Sequence, residues 1–166
     1  AAESIKNITK DELEGMLWEN SDEPHSKLIA NAIVYEIKKG KTIDTTTELR
    51  QVIANALRSL PSDTRDEEIK KSSMRTFQAL RIDANNEFEV LYEFLEKLPA
   101  SLAKGGRVAI LSFHSGEDRL VKKSFQRYYR DGIYSDISST AIRPSGEECN
   151  ANSRARSAKL RWAIKA

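Results

Sequence analysis

The stretch from Gly105 to Arg119 constrains this chain most. It opens with a paired-glycine turn, runs through the apolar segment Val108-Ala109-Ile110-Leu111-Ser112, and ends in Phe113-His114-Ser115-Gly116-Glu117-Asp118-Arg119. A short apolar run bounded by turn residues reads as a buried strand. Beyond it, Leu120, Val121, Ser124, Phe125 and Tyr128 recur at helical spacing. Arg119, Lys122, Lys123, Arg127 and Arg130 take the other face. Strand, loaded loop and helix predict an α/β unit, and in open α/β sheets ligands bind at the carboxyl ends of strands. On an extended backbone Ser112 and His114 face the same way, so both are expected to line a pocket there. Glu117 and Asp118 are expected to cap the helix or orient His114. A hydrolase triad is disfavoured, because no G-x-S-x-G elbow is present. A hard-metal site needs more oxygen ligands than this stretch offers, so no metal is expected.

The chain before this strand predicts helices. Thr9-Lys10-Asp11-Glu12 and Thr45-Thr46-Thr47-Glu48 are capping boxes, in which a hydroxyl and a carboxylate reciprocally satisfy the first free N–H groups. The stripe Leu28, Ile29, Ala32, Ile33, Ile37 predicts a helix started by Asp22 and Pro24 and closed by Lys38-Lys39-Gly40; His25 in its first turn reads as solvated or capping. Leu49, Val52, Ile53, Ala56, Leu57 and Leu60 predict another, ended by Pro61. Such stripes pack on one another, so residues 1–60 are expected to form a helical subdomain. Residues 62–73 read as a polar connector, giving a division into 1–73 and 74–166. A long, kinked helix is predicted over 75–98, with Arg75, Gln78 and Arg81 on one side. Those side chains suit phosphates or a base edge, and equally suit salt bridges to acidic neighbours. Pro99 and Gly105-Gly106 bracket a short helical piece over 100–104. A strand is predicted over 133–142, a polar loop over 144–153, and a last strand over 159–164.

Net charge is only +2, but it is unevenly spread. From Arg119 onward there are 11 basic and 4 acidic residues, against 16 and 21 before it. A basic C-terminal third predicts a polyanionic partner. The single cysteine, Cys149, excludes an internal disulfide and a cysteine metal site. No apolar run approaches the ~20 residues of a membrane span. The start, Ala1-Ala2-Glu3-Ser4, resembles neither a signal nor a transit sequence and lacks an initiator methionine, as expected of a processed or truncated chain. Neither a G-x-x-x-x-G-K-[ST] loop nor a G-x-G-x-x-G turn is present.

Three blocks carry a family resemblance. Arg75-Thr-Phe-Gln-Ala-Leu-Arg-Ile82, with Asn85 and Glu87, resembles R-T-F-Q-A-L-R-I-x-V-N-x-E-L. The segment Ser112 to Lys122 resembles S-F-H-S-L-E-D-R-x-V-K, and Asn152 to Arg161 resembles N-P-R-A-R-S-A-K-L-R. In this order and spacing they resemble the MraW/RsmH family. Gly116 stands where the pattern has leucine, Ser153 where it has proline, and Ala84 where it has a larger aliphatic residue; Lys71-Ser72 replaces a common His-Pro.

The resemblance implies methyl transfer from S-adenosylmethionine to N4 of a cytidine in small-subunit ribosomal RNA. It begins within the family's helical insertion and runs to the C-terminus. The implied fold is α/β: a helical insertion subdomain plus the C-terminal strands of a class I, Rossmann-like methyltransferase sheet, with the cofactor-binding half absent. The opening strand would be the fifth of that sheet, and the later two its final antiparallel pair. S-adenosylmethionine serves the full-length family; no cofactor is expected for this chain alone. The implied substrate-side residues are Ser112, His114, Ser115, Glu117, Asp118 and Asn85. Those implied to hold RNA are Arg75, Arg81, Arg119, Lys122, Arg154, Arg156, Lys159 and Arg161. Expected partners are the ribosomal RNA and whatever covers the exposed sheet edge: the missing half, another chain or a second copy. The expected location is the bacterial cytoplasm or an organelle matrix or stroma. The competing expectations are a non-catalytic RNA-binding adaptor derived from the family and a purely structural helical module.

Overall fold

A computed structural model describes residues 5–166. The chain forms two compact units that divide after Asn86. The first holds α1 (Lys10–Ser21), α2 (Ser26–Lys38), α3 (Thr46–Ala56) and α4 (Arg65–Asn85). Both capping boxes form. Thr9 Oγ accepts from the Glu12 N–H at 3.3 Å while Glu12 accepts from the Thr9 N–H at 2.9 Å; Thr45 and Glu48 repeat this at 3.2 and 2.9 Å. Their stripes meet in one core that includes Leu13, Leu17, Ile29, Ile33, Ile53 and Leu57.

Three helix boundaries differ from the sequence expectation. Asp22 adopts a left-handed conformation (φ 50°) and ends α1, so α2 starts only at Ser26, with His25 at the cap position making no side-chain cap bond. Residues 62–73 are not a connector from end to end. From Arg65 they are the first turns of α4, opened by Asp66, Glu67 and Glu68, where negative charge favours a helix N-terminus. Lys71 joins Glu67 at 2.7 Å across one turn, and Ser72 and Ser73 are buried. The first turns of this helix look like a loop because the residues they bury, Ser72 and Ser73, carry no apolar signal. Finally, the expected kinked helix over 75–98 is two helices. Asn86, also left-handed (φ 50°), closes α4. The next helix, α5 (Glu87–Ser101), keeps Pro99 inside its last turn.

The second unit continues with β1 (Arg107–Ser112), α6 (Ser115–Arg130), β2 (Tyr134–Ile137), α7 (Gly146–Ala151), a 3-10 helix (Ser153–Ser157) and β3 (Lys159–Lys165). The sheet is antiparallel in the order β1-β3-β2, with Val108 opposite Ala163, Ile110 opposite Arg161 and Ser112 opposite Lys159. Seven helices and this sheet among the described residues make an α/β chain. The strand expected over 133–142 shrinks to four residues, with a register irregularity between Tyr134 and Asp136; beyond it the Ser138 N–H still donates to the Trp162 carbonyl at 2.9 Å, and Ile142 makes an isolated bridge to Leu160. The loop expected over 144–153 contains α7.

Val108 and Ile110 pack towards a core of Leu95, Leu98, Val121, Phe125, Tyr134 and Ala163. The Tyr134 ring meets Phe125 and Tyr128 edge-on at 5.6 and 5.8 Å, and burial pushes its phenol up to about 12. Leu111, Phe113 and Ile142 stay about half exposed, at 53%, 52% and 52%. No helix among the described residues is long and apolar enough to cross a membrane.

Candidate functional site

The junction between β1 and α6 gathers the titratable side chains. His114 sits at the cap of α6 in an extended conformation, and its Nδ1 accepts from the Glu117 N–H at 3.4 Å. Glu117 reaches back to accept from the Phe113 N–H at 3.1 Å. This is the reciprocal logic of a capping box, with an imidazole in place of a hydroxyl. A neutral imidazole that accepts at Nδ1 carries its proton on Nε2. That nitrogen lies 3.4 Å from Glu117 Oε1. Glu87, the first residue of α5, completes the cluster: one donor atom each from Glu87, His114 and Glu117 lie within 4.8 Å of one another. Chemically, the carboxylates can accept protons here, and His114 is tied to Glu117 through the cap contact at Nδ1. One nitrogen and two carboxylates also suit a divalent ion. Ligation through Nε2, however, would move the ring proton to Nδ1 and cost the cap contact.

Glu87 lies in the first resemblance block but is not among the residues that the resemblance implies. Asn85 ends α4 in the first unit and lines a groove of about 360 Å³ there together with Arg81. Ser112 is 4% exposed, and its hydroxyl donates to the Lys159 carbonyl at 3.3 Å. It ties β1 to β3 instead of lining the expected pocket. Ser115 is exposed at the start of α6.

The Phe88 ring lies 5.6 Å from the His114 ring, and it occupies space that Gly116 leaves open. A Cβ built on Gly116 would come within 2.4 Å of the Phe88 ring. The pattern that this chain resembles has leucine at both positions, and this chain has one larger and one smaller residue. Gly116→Leu alone is therefore expected to destabilise the second unit by about 1–3 kcal/mol through overpacking. Combining it with Phe88→Leu should recover most of that loss. Urea titration of the two single variants and the double variant checks this; additive losses would show the positions to be independent.

Asp118 is not a free acid beside the cluster. Its carboxylate accepts from Arg161 Nε at 2.7 Å and Nη2 at 3.2 Å, with Lys159 Nζ at 3.7 Å. Burial pushes the Asp118 carboxyl up, but Arg161, Lys159 and Arg143 together pull it down further, leaving it below its ordinary value. Arg161 is 7% exposed. Lys159 and Arg161 are thus engaged inside the unit rather than turned out to a partner. Arg75 is engaged likewise. Its Nη1 lies 3.8 Å from Glu23, which is fully buried and also accepts from Ser72 Oγ and from the His25 N–H, both at 2.9 Å. Arg81, Arg119, Lys122, Arg154 and Arg156 are exposed. Charge patterning located the basic segment, but spacing does not distinguish a guanidinium facing a buried carboxylate from one facing solvent.

Compared with known families, residues 1–166 match one described as the MraW methylase family. This chain belongs to it. Similar MraW methylase relatives include "Ribosomal RNA small subunit methyltransferase H 2" of Alkaliphilus metalliredigens, 69% identical over all 166 residues. "Ribosomal RNA small subunit methyltransferase H 1" of Lachnoclostridium phytofermentans is 66% identical over the same span, and "Ribosomal RNA small subunit methyltransferase H" of Dictyoglomus thermophilum 40% identical over 161 residues, 97% of the chain. The matches cover 48%, 45% and 50% of those relatives, so this chain spans about half the length of the MraW methylases it resembles.

Proposed function

We propose that this chain is the RNA-facing, substrate-side part of an rRNA methyltransferase that transfers a methyl group from S-adenosylmethionine to N4 of a cytidine in small-subunit rRNA. The observation that carries this reading is the family match over every residue. The cluster at the carboxyl end of β1 supplies chemistry that suits it: Glu117, oriented by His114 and flanked by Glu87, can accept a proton released from an exocyclic amine. Positioning such an amine is the larger share of catalysis in a reaction of this kind. The exposed cations Lys122 and Arg156 are suited to the RNA backbone.

The residues described do not fit the cofactor itself. At the junction over 112–116, Phe88 fills the space beside Gly116, and the Glu117 carboxylate occupies the Phe113 N–H. We assign the cofactor to the part of the family that this chain does not span. That part also suits the outer edge of β1, whose only partner among the described strands is β3; an open edge is a pairing liability.

Filter binding of this chain to a small-subunit rRNA fragment, across a salt series, tests the RNA assignment. Lys122→Ala and Arg156→Ala are each expected to flatten the log-affinity against log-salt slope by roughly 0.7–0.9. Unchanged slopes would remove the RNA-facing assignment. Calorimetric titration of the same chain with S-adenosylmethionine is expected to show no micromolar binding, and such binding would overturn the cofactor assignment.

A further inference from the structure

A groove of about 330 Å³ lies beside the end of β1, within the second unit and apart from the Glu87–His114–Glu117 cluster. Leu111, Phe113 and Ile142 contribute an apolar lining to it, each about half exposed. The Ile142 wall is held by paired backbone bonds with Leu160 at 2.9 and 3.0 Å. The Phe113 backbone is held by Glu117, so the ring starts from an anchored position. Two guanidinium groups, Arg143 and Arg154, share the lining with one carboxylate, Glu148. On the Arg154 side, Asn152 caps the 3-10 helix by accepting from the Arg154 N–H at 3.1 Å, which fixes the corner that presents Arg154.

We propose that this groove holds one nucleotide of single-stranded RNA, its base stacked on Phe113 and its phosphates met by Arg143 and Arg154. The proposal rests on the RNA-facing reading above and adds a base-holding position to it. The size matches: the volume is at the lower end for small-ligand sites, enough for a nucleoside and too small for a duplex. The chemistry matches as well. An open aromatic ring beside cations is the arrangement that binds unpaired bases without reading their sequence. The excess of positive charge argues against an apolar protein segment as the occupant. Phe113 touches the proton-handling cluster only through its backbone N–H, and its ring lines the groove instead, so the groove is a neighbouring subsite for a nucleotide next to the reacting one.

The test compares a single-stranded RNA oligonucleotide carrying bases throughout with a series of the same length, each member abasic at one position. With wild-type chain, one abasic position is expected to weaken binding by about five- to a hundredfold, the range for loss of a stacked base. Phe113→Ala should abolish that discrimination while keeping the salt slope, and Arg143→Ala should flatten the slope while keeping the discrimination. A uridine-to-5-iodouridine oligonucleotide should photocrosslink to the peptide containing Phe113. If RNA binds and its slope responds to Lys122→Ala, but Phe113→Ala leaves discrimination unchanged and crosslinks map elsewhere, the groove proposal falls and the RNA-facing reading stands. If wild-type chain does not bind RNA, both fall.

Discussion

Glu23→Ala is expected to destabilise the helical unit by about 2–4 kcal/mol, the cost of leaving two donors without their buried acceptor, at roughly 1–3 kcal/mol each. Glu23 is fully buried, and three groups depend on it: the Ser72 hydroxyl, the His25 N–H and the Arg75 guanidinium. Deleting the carboxylate leaves a hydroxyl and a backbone N–H without an acceptor and a cation without its counter-charge. These groups come from the α1–α2 connection and from the middle of α4, so the loss should loosen the attachment of one to the other. Circular dichroism during urea unfolding reads the effect as a lower midpoint. The double variant Glu23→Leu with Arg75→Met should recover part of the loss, because an apolar pair no longer strands a charge. A Glu23→Ala chain as stable as wild type would mean that this carboxylate is not what holds α4 to the turn.

The second large effect concerns Asp118. Asp118→Ala should cost about 2–3 kcal/mol, somewhat below a fully buried pair, because the Asp118 side chain keeps 14% exposure. The pair joins the first turn of α6 to the middle strand β3, so its loss should lower the unfolding midpoint of the second unit. The pH dependence has a definite sign. The Asp118 carboxyl is held below its ordinary value in the folded chain. Its contribution is therefore fully present above the unfolded value of about 4, and is lost as pH falls through the lower folded value. The stability gap between wild type and Asp118→Asn should stay level from neutral pH to about 5, then close below about 4. Thermal melts of both proteins across that range check it. A gap already closing near pH 6 would assign the interaction to another group.

Much of this fold could be read from single residues. Thr9 with Glu12 and Thr45 with Glu48 announced two helix starts, because a capping box depends only on residues three apart. Gly40 announced a helix end, because a left-handed turn (φ 84°) is easy for glycine. The strand after Gly105-Gly106 and the helix after it were legible from periodicity. The left-handed Asn86 was not, although asparagine tolerates that conformation better than most residues, because the apolar spacing runs on from Ala84 to Phe88, Leu91 and Leu95, and the two helices it separates therefore read as one. Nor was the start of α4, whose buried Ser72, Ser73 and Thr76 carry no hydrophobic signal. At the site, the cluster on His114 and Glu117 was visible as local sequence. Glu87, which joins it from 27 residues away, required the fold. The same limit explains Arg161 and Arg75: their charge is evident in the sequence, but the carboxylates that claim it are not neighbours in the chain.

The contact between Phe88 and Gly116 also bears on the order in which this lineage could have changed. From the leucine pair of the pattern that this chain resembles, enlarging residue 88 first would press a ring into an occupied space. Shrinking residue 116 first would instead leave a void, and the later ring would fill it. Voids and clashes both cost stability, so each path crosses a weaker intermediate. The leucine–glycine intermediate needs only partial collapse around a gap, whereas the phenylalanine–leucine intermediate must move packed atoms. Members that carry leucine at 88 with glycine at 116 should accordingly turn up more often than members with the reverse pairing. The present pair would then be the settled end of that path, and replacing either residue alone would retrace one of its weaker steps.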